Sequence, residues 1–570
     1  MLFNGLKTEK EVEALKRCIL RDEALYAQFC KARDKMNAIN NKMLSYNKVV
    51  LSADEQKKKL PTNAEILAFY WELVKNKKQK PSREAEQILR KIKVRSNSGV
   101  AVVSLLTKLY ACPGKCIYCP TEKCMPKSYL SKEPAAARAL ANNFDAYQQI
   151  TNRLRALVIN GHPVDKLEII IIGGTWSFYD MEYQEEFILE IFRACNNFTP
   201  RTKCVTERIK KDKKTLRELQ KINETAKARV IGLSVETRPD YINEKELEKL
   251  RTFGVTKVEI GVQHLDDVIL KYNKRGIFTE EVAQTTELLC STGFKVVYHM
   301  MPNLPKSTPQ KDIAMFKKLF SDKDFQPDML KIYPCIVLKK SPLFKIFLAG
   351  DFQVYTDKQL TNILIRIKKL VPLYTRIIRV IRDIPATYIM AGSKISNLRQ
   401  VIEQNQKKDS WKCHCIRCRE IRNEEVKLND YKLSRIQYET RTGREIFLSY
   451  ENKKENKCAA FCRLRLPDKK IKNNFSGNLR VLEGAAIIRE LHTYGQLIKI
   501  KEKGSQSQHR GFGMRLMEEA ENIARKRGYS KMAVIAGVGA RNYYRKKFGY
   551  KLDRTLRLNS EPGSFSDSFF

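Results

Sequence analysis

Cys112-Pro-Gly-Lys-Cys116-Ile-Tyr-Cys119-Pro120 is the stretch on which the rest of the chain turns. Three thiols inside eight residues, set on a loop by Pro113 and Gly114, cannot all pair with one another. A group this tight suits a thiophilic metal. A four-iron cluster held by only three thiolates keeps one iron open, as a catalytic zinc keeps an open position, and that iron can take a chelating substrate. A zinc loop completed by Cys124 is the other use of grouped cysteines. Spacing alone leaves both readings open.

Downstream of the loop, apolar β-branched runs alternate with amphipathic helical patterns. The runs are 99–106, 167–172, 229–235, 255–262, 295–301 and 329–333, and helices are predicted at 135–160, 183–195 and 280–292. Continuous apolar strands separated by helices imply a parallel sheet covered by helices, and six such units fit a partial (β/α)6 barrel. Chemistry is then expected at the carboxyl ends of the strands. The cysteine loop follows the first run, Gly173-Gly174-Thr175 the second and Glu236-Thr-Arg238-Pro-Asp240 the third, while Gln263 closes the fourth. On its own the glycine pair is equally a plain tight turn.

Upstream, helices are predicted over 11–30 and 63–74, the second opened by Pro61, Thr62 and Asn63. The densest basic run follows: Lys75, Lys77, Lys78, Lys80, Arg83, Arg90, Lys91, Lys93 and Arg95. A solvated face and an RNA-binding surface are both consistent with it, and its position next to the cysteine loop favours the RNA surface. The whole chain carries 107 Lys and Arg against 64 Asp and Glu, a net charge of +43, which points to a polyanion such as nucleic acid. Neither a membrane-spanning run, a basic amphipathic anchor nor a signal-peptide core stands out, so no membrane partner and a cytoplasmic or nuclear location are expected. The fifteen cysteines are then expected to be reduced, with isolated ones such as Cys18, Cys195 and Cys290 serving as small buried hydrophobes.

A second tight group, Cys413-His414-Cys415-Ile-Arg-Cys418, lies in a basic connector and matches a structural zinc knuckle whose fourth ligand is His414 or a residue from elsewhere. Beyond it the strand pattern becomes antiparallel in type, at 445–450, 459–466 and 479–491. Gln508-His-Arg-Gly511-Phe512-Gly513 then opens a helix over 514–527, followed by a strand at 533–538 and a helix containing Asn542, Tyr543 and Tyr544. A glycine loop at a helix N-terminus turns backbone N–H groups and the positive dipole end toward an anion such as a pyrophosphate.

The spacing C-x3-C-x2-C resembles the signature of the radical S-adenosylmethionine enzymes, in which one electron from a 4Fe-4S cluster cleaves S-adenosylmethionine to a 5'-deoxyadenosyl radical. The Gln-x-x-Gly-x-Gly loop resembles the acyl-CoA loop of the GNAT acetyltransferases. Over roughly 80–555 the combination resembles the elongator protein three family, catalytic subunits of Elongator. It does so through Gly173-Gly-Thr, Glu236-Thr-Arg-Pro-Asp, Gly261-Val-Gln, His299-Met-Met-Pro, Lys331-Ile-Tyr-Pro, Arg382-Asp-Ile-Pro, Cys413 to Cys418, Glu490-Leu-His-Thr and Asn542-Tyr-Tyr.

The resemblance implies an α/β protein: a basic helical tRNA-binding region (1–95), a partial (β/α)6 radical S-adenosylmethionine domain (96–393), a zinc-binding connector (394–432) and a GNAT α+β domain (433–570). It implies a 4Fe-4S cluster on Cys112, Cys116 and Cys119, S-adenosylmethionine at Gly173, Gly174, Glu236 and Gln263, and zinc on Cys413, Cys415 and Cys418. Acetyl-CoA falls to Lys166, Glu490, Leu491, His492, Thr493, Gln508, Gly511, Phe512, Gly513, Met514 and Tyr544, and catalysis to Lys166, Tyr543 and Tyr544. Lys75, Lys77, Lys78, Lys80, Lys91 and Lys93 would bind tRNA, and other Elongator subunits would be partners. The implied reaction starts carboxymethylation at carbon 5 of the wobble uridine. The alternative activity is lysine acetylation of histones or tubulin, with Glu483 or Glu490 as base. This chain departs from the family at Thr121-Glu122, at Trp176 and in a shorter first cysteine gap.

Overall fold

Each barrel strand alternates an outward apolar residue with an inward one, and the outward set builds the main core. The strands are β1 (Ala101–Leu106), β2 (Lys166–Ile172), β3 (Arg229–Thr237), β4 (Lys257–Gln263), β5 (Lys295–Met300) and β6 (Met329–Ile332). In this computed structural model, which describes residues 2–3, 8–41, 61–89, 99–199, 213–421, 427–471, 475, 477–494, 511–552 and 566–569, they hydrogen-bond in sequence order and in parallel. A further parallel strand, Arg376–Arg379, extends the expected six to a seven-stranded sheet. Its four residues mix arginines with isoleucines, so no continuous apolar run announces it. Leu167, Ile169, Ile171, Val258, Ile260, Val296 and Leu330 are buried among Ile150, Leu154, Ile188, Ile191 and Phe316 of the covering helices.

Two expected helices are each split in two. Glu9–Arg21 and Glu23–Asn41 meet at Asp22, which is extended and caps the second helix through its carboxylate. Pro134–Leu140 and Ala146–Ile159 are parted by Asn143 and Phe144, both at positive φ, after which Asp145 caps the new start. The first break is a single residue and the second five, Ala141 to Asp145, and apolar residues continue on both sides of each. The helix Asn63–Lys75 begins as expected, with a capping box between Thr62 and Glu65.

The second sheet opens with an antiparallel meander of Lys432–Thr440, Gly443–Asn452, Lys457–Pro467 and Ala485–Thr493. Its first strand begins at the expected end of the connector, where alternating exposed residues gave no apolar signal. The run expected as one strand over 479–491 is a 3-10 turn, Gly477–Leu482, followed by a strand from Ala485, the break lying at Gly484 with φ +68°. The strand expected to reach 538 ends at Val534 and continues into a 3-10 turn, Val538–Ala540. Lys531–Val534, Ser566–Phe569 and Lys551–Leu552 complete the sheet in parallel.

This sheet docks beneath the amino ends of the barrel strands. Gly537 lies against Ile231 and Gly539 against Arg229 and Val230, too close for any Cβ. Arg489 donates to the Phe294 carbonyl at 2.7 Å and to Asp328 and Glu445, Arg463 pairs with Asp328 at 3.3 Å, and Arg465 pairs with Glu287. All three arginines are about 1% exposed or less. Buried guanidiniums this well matched by carboxylates hold one relative orientation of the two units, since losing either partner strands a charge.

Candidate functional site

The cysteine loop leaves the carboxyl end of β1. Cys112 and Cys119 are partly buried and Cys116 is buried. Arg275, itself buried, donates from Nη1 to Cys116 Sγ at 3.8 Å and is anchored on the Gly261 carbonyl. Arg238, clamped by Asp240 at 2.8 Å, donates to the Arg275 carbonyl, and its guanidinium occupies the place a side chain at Gly114 would need. The hydrogen bond from Cys119, together with the charge of Arg275, lowers the Cys116 thiol to about 5. Three sulfurs on one loop, with the guanidiniums of Arg275 and Arg238 beside them and Cys116 held toward thiolate, fit an iron-sulfur cluster. Cys124, the fourth ligand of the zinc alternative, is exposed.

Around this mouth stand the other candidates on the barrel. Gly173 has φ +130° and packs on Thr107 too closely for any other residue. Gln263 sits at φ +71° beside a register shift, which re-aims it over the barrel mouth. Glu236 accepts from Tyr129 Oη at 2.6 Å and from Lys331 Nζ at 3.0 Å. Deeper in, Glu259 is fully buried and accepts from Ser234 Oγ at 3.0 Å, pairs with His299 Nε2 at 2.9 Å and contacts Lys331. Burial opposes the charges of both Glu259 and Lys331, but each other's charge prevails and holds the pair ionised. His299 and Lys331 stand in the family-like motifs of the sequence, yet nothing in their spacing told that they meet.

At the amino end of the barrel the second sheet presents Glu490, Leu491, His492 and Thr493. The parallel pairing of Ala485–Thr493 with Lys531–Val534 stops at Ile488 and Val534, and a bulge falls at Arg489. Beyond that point the strand has, among the described residues, no sheet partner on this side, leaving backbone groups facing a wedge. The helix Phe512–Lys526 starts from Gly511, at φ +128°. A Cβ on Gly513 would stand 3.3 Å from Tyr543 Oη and 3.4 Å from Thr493 Oγ1, so the glycine loop, strand end and tyrosine helix converge. His492 stacks on Phe461 at 5.7 Å, burial lowers its imidazole, and its Nε2 is buried without a partner. An unpaired nitrogen on an open strand edge beside a helix N-terminus fits an acyl-CoA. Tyr544 is buried, Tyr543 and Met514 are exposed, and Arg463 Nε donates to Glu490 Oε2 at 2.9 Å. Glu483 is exposed and is not among the residues that line the cavity at this wedge.

A single cavity of about 3910 Å³ is lined by the cysteine loop, Glu236, Gln263, Lys166, Glu490 to Thr493, Tyr543 and Tyr544. Its rim includes Lys75 and the half-exposed Trp71 on the helix Asn63–Lys75. Lys77, Lys78 and Lys80 follow, all exposed. Trp71 carried a signal that went unused: an indole at the end of an amphipathic helix running into lysines. Gln508, Lys91 and Lys93 lie outside the described residues.

Cys413, Cys415 and Cys418 bring their sulfurs within 4.8 Å of one another. Cys415 begins the short helix Ile416–Arg419, which returns Cys418 over it. Hydrogen bonds from Cys413 and Cys418 hold Cys415 well below the usual thiol range, and buried Lys368 donates to Cys418 Sγ at 3.5 Å. This donor set fits a single thiophilic ion. His414 is exposed and lies outside this group of three sulfurs. Of the cysteines expected as buried hydrophobes, Cys195 and Cys290 are buried, but Cys18 is exposed because it falls on the outer face of its helix.

A radical S-adenosylmethionine barrel joined to a GNAT acyltransferase domain is the class of enzyme that this fold and site define. The Radical SAM superfamily model matches residues 106–319, the Radical_SAM C-terminal domain model residues 327–408 and the Acetyltransferase (GNAT) family model residues 416–550. The chain is 40% identical over 506 residues to the tRNA uridine(34) acetyltransferase of Methanocaldococcus jannaschii, covering 86% of this chain and 88% of that one. It is 36% identical over 476 residues to Elongator complex protein 3 of Bos taurus, covering 80% and 84%. Among solved structures, the archaeal Methanocaldococcus infernus Elp3 with an N-terminal deletion superposes with a TM-score of 0.66 at 37% identity, covering 80% of this chain and 98% of that one. The chain belongs to the Elongator complex protein 3 family. Among the described residues no helix is long and apolar enough to cross a membrane.

Proposed function

We propose that the protein modifies the wobble uridine of tRNA, starting carboxymethylation at carbon 5 from acetyl-CoA. The observation that carries this reading is the shared cavity, in which a cysteine loop suited to a 4Fe-4S cluster and a wedge suited to an acyl-CoA open onto one space under a cationic rim. When loaded, the cluster and S-adenosylmethionine supply a primary carbon radical able to take a hydrogen atom from the acetyl methyl, which then adds to the uracil. Cys112, Cys116 and Cys119 would hold the cluster, with Arg275 and Arg238 fixing the loop, and Gly173, Gly174, Glu236 and Gln263 would hold S-adenosylmethionine. His492, Thr493, Gly513 and Tyr544 would grip acetyl-CoA, while Lys75, Lys77, Lys78 and Lys80 would meet tRNA phosphates. A single-stranded anticodon base can be splayed into such a cavity. Cys413, Cys415 and Cys418 would bind zinc as a structural site, and the relatives' name suggests further Elongator subunits as partners. Lysine acetylation is less well supported, because Arg463 already engages Glu490 and Glu483 does not line the cavity.

The test is acetyl-CoA turnover by the anaerobically purified protein with tRNA or with histone. Stimulation by tRNA is expected; stimulation by histone alone would overturn the reading.

A further inference from the structure

A small parallel barrel ordinarily fills its interior with layers of Val, Ile and Leu. Here β2, β4, β5 and β6 carry Glu168, Lys257, Glu259, Lys295, His299 and Lys331, all lining the common cavity. Lys257 contacts Glu168, and Lys331 and His299 contact Glu259. The ladder runs the length of the barrel. At the cysteine-loop end Lys331 reaches Glu236, and at the opposite end Lys295 feels the charge of Glu490 in the acyl-CoA wedge. Six ionisable groups in place of a packed core cost stability unless the space holds water or a polar guest. Gly232 and Ser104 add openness, since neither fills the lumen beside it.

We propose that the barrel lumen is a wet passage along which the two-carbon acyl unit moves from the acyl-CoA wedge to the cysteine-loop end. The inference rests on the function proposed above. It concerns a distance that function leaves uncovered: the wedge lies at the amino ends of the strands and the cysteine loop at their carboxyl ends, so the acyl group must traverse the barrel to meet a radical. Alternating charges suit a short polar guest, either the thioester on its flexible arm or the free carboxylate. In the second case water adds to the thioester carbonyl carbon, the carbon-sulfur bond breaks, and the thiolate takes a proton as acetate leaves.

A plug tests this. In Gly232→Leu the new side chain projects beside Glu168 into the lumen, where a Cβ has ordinary contact room at 3.5 Å from Glu168 Cγ, and Gly232→Ala is the graded control. Three quantities are measured on the full chain with tRNA: acetyl-CoA hydrolysis, also on protein without its cluster; 5'-deoxyadenosine; and wobble-uridine product by mass spectrometry. The passage predicts that both half-reactions stay within about twofold of wild type while product falls more than tenfold in Gly232→Leu and less in Gly232→Ala. Undiminished product, or a parallel fall of all three quantities, overturns it. Should Gly232→Leu fail to fold, Ser104→Leu, a plug from β1, is read by the same criteria. Labelled free acetate beside unlabelled acetyl-CoA separates the two guests, since only a free carboxylate exchanges label into product. If wild type runs both half-reactions and makes no modified uridine, it is the proposed function that fails and not the passage alone.

Discussion

The two cysteine triads use the same ligand type under opposite surroundings. Cys112, Cys116 and Cys119 line an open cavity and are steadied by two arginines that reach in from the connections following β3 and β4. Cys413 and Cys415 are sealed in the core, with all three sulfurs of their group within 4.8 Å and the ammonium of Lys368 alongside. A thiolate set that must admit a substrate keeps access, whereas one that only ties a connector down gives it up. On the function proposed above, access and burial, rather than spacing, tell the two triads apart.

The largest expected effect tests the open triad. Replacing Cys112, Cys116 and Cys119 with Ala should remove the iron chromophore and all uridine modification while leaving the thermal midpoint within a few degrees of wild type. Iron retained in the triple variant would break the comparison at its first term. For the sealed triad the order reverses. Cys415→Ala should release the metal and lower stability by several kcal/mol, since metal binding there is coupled to folding, with proteolysis of the connector as a second readout. A fully stable Cys415→Ala protein that had lost only activity would show the site to be chemical.

The junction between the two units is next. Asp328→Asn leaves Arg489 and Arg463 buried with one carboxylate fewer, which should cost about 3 to 5 kcal/mol in denaturant unfolding. Burial opposes the Asp328 charge, but Arg489 and Arg463 hold its carboxyl below the ordinary value. A depressed folded value means that this stabilisation is complete above the unfolded Asp value of about 3.9 and is lost as pH falls through the folded one. Wild type should therefore lose stability relative to Asp328→Asn only in acid, and a gap unchanged down to pH 3 would contradict the assignment.

Smaller effects belong to the rim. Trp71→Ala should weaken tRNA binding by about 1 to 3 kcal/mol if a base stacks on the indole. Replacing Lys77, Lys78 and Lys80 together should flatten the logarithmic salt slope by roughly 0.7 to 0.9 per lost phosphate contact. Loss of thermal stability without loss of tRNA affinity would show that this face is only solvated.

Much of this was legible because local signals agreed with the fold. The six apolar runs, the cysteine loop and the described end of the glycine loop, Gly511 to Gly513, each sit on the element that their pattern implied. What escaped were meetings between distant residues. Arg275 reaches Cys116 across 159 positions, and Arg463 meets the Tyr374 carbonyl across 89. The charged lumen, however, was within reach. Lys257-Val-Glu-Ile-Gly-Val-Gln263 alternates strictly, a sign that one face of the strand is polar, and that face lines the cavity.

The central claim is that one cavity brings acetyl-CoA and radical chemistry to a single uridine. It is tested most directly with acetyl-CoA deuterated and 13C-labelled in its methyl group, supplied with S-adenosylmethionine, a reductant and tRNA to the reconstituted protein. Deuterium should appear in 5'-deoxyadenosine, and the labelled carbon on carbon 5 of the wobble uridine. Labelled uridine without deuterium in 5'-deoxyadenosine, or label found only on protein lysines, would contradict the account.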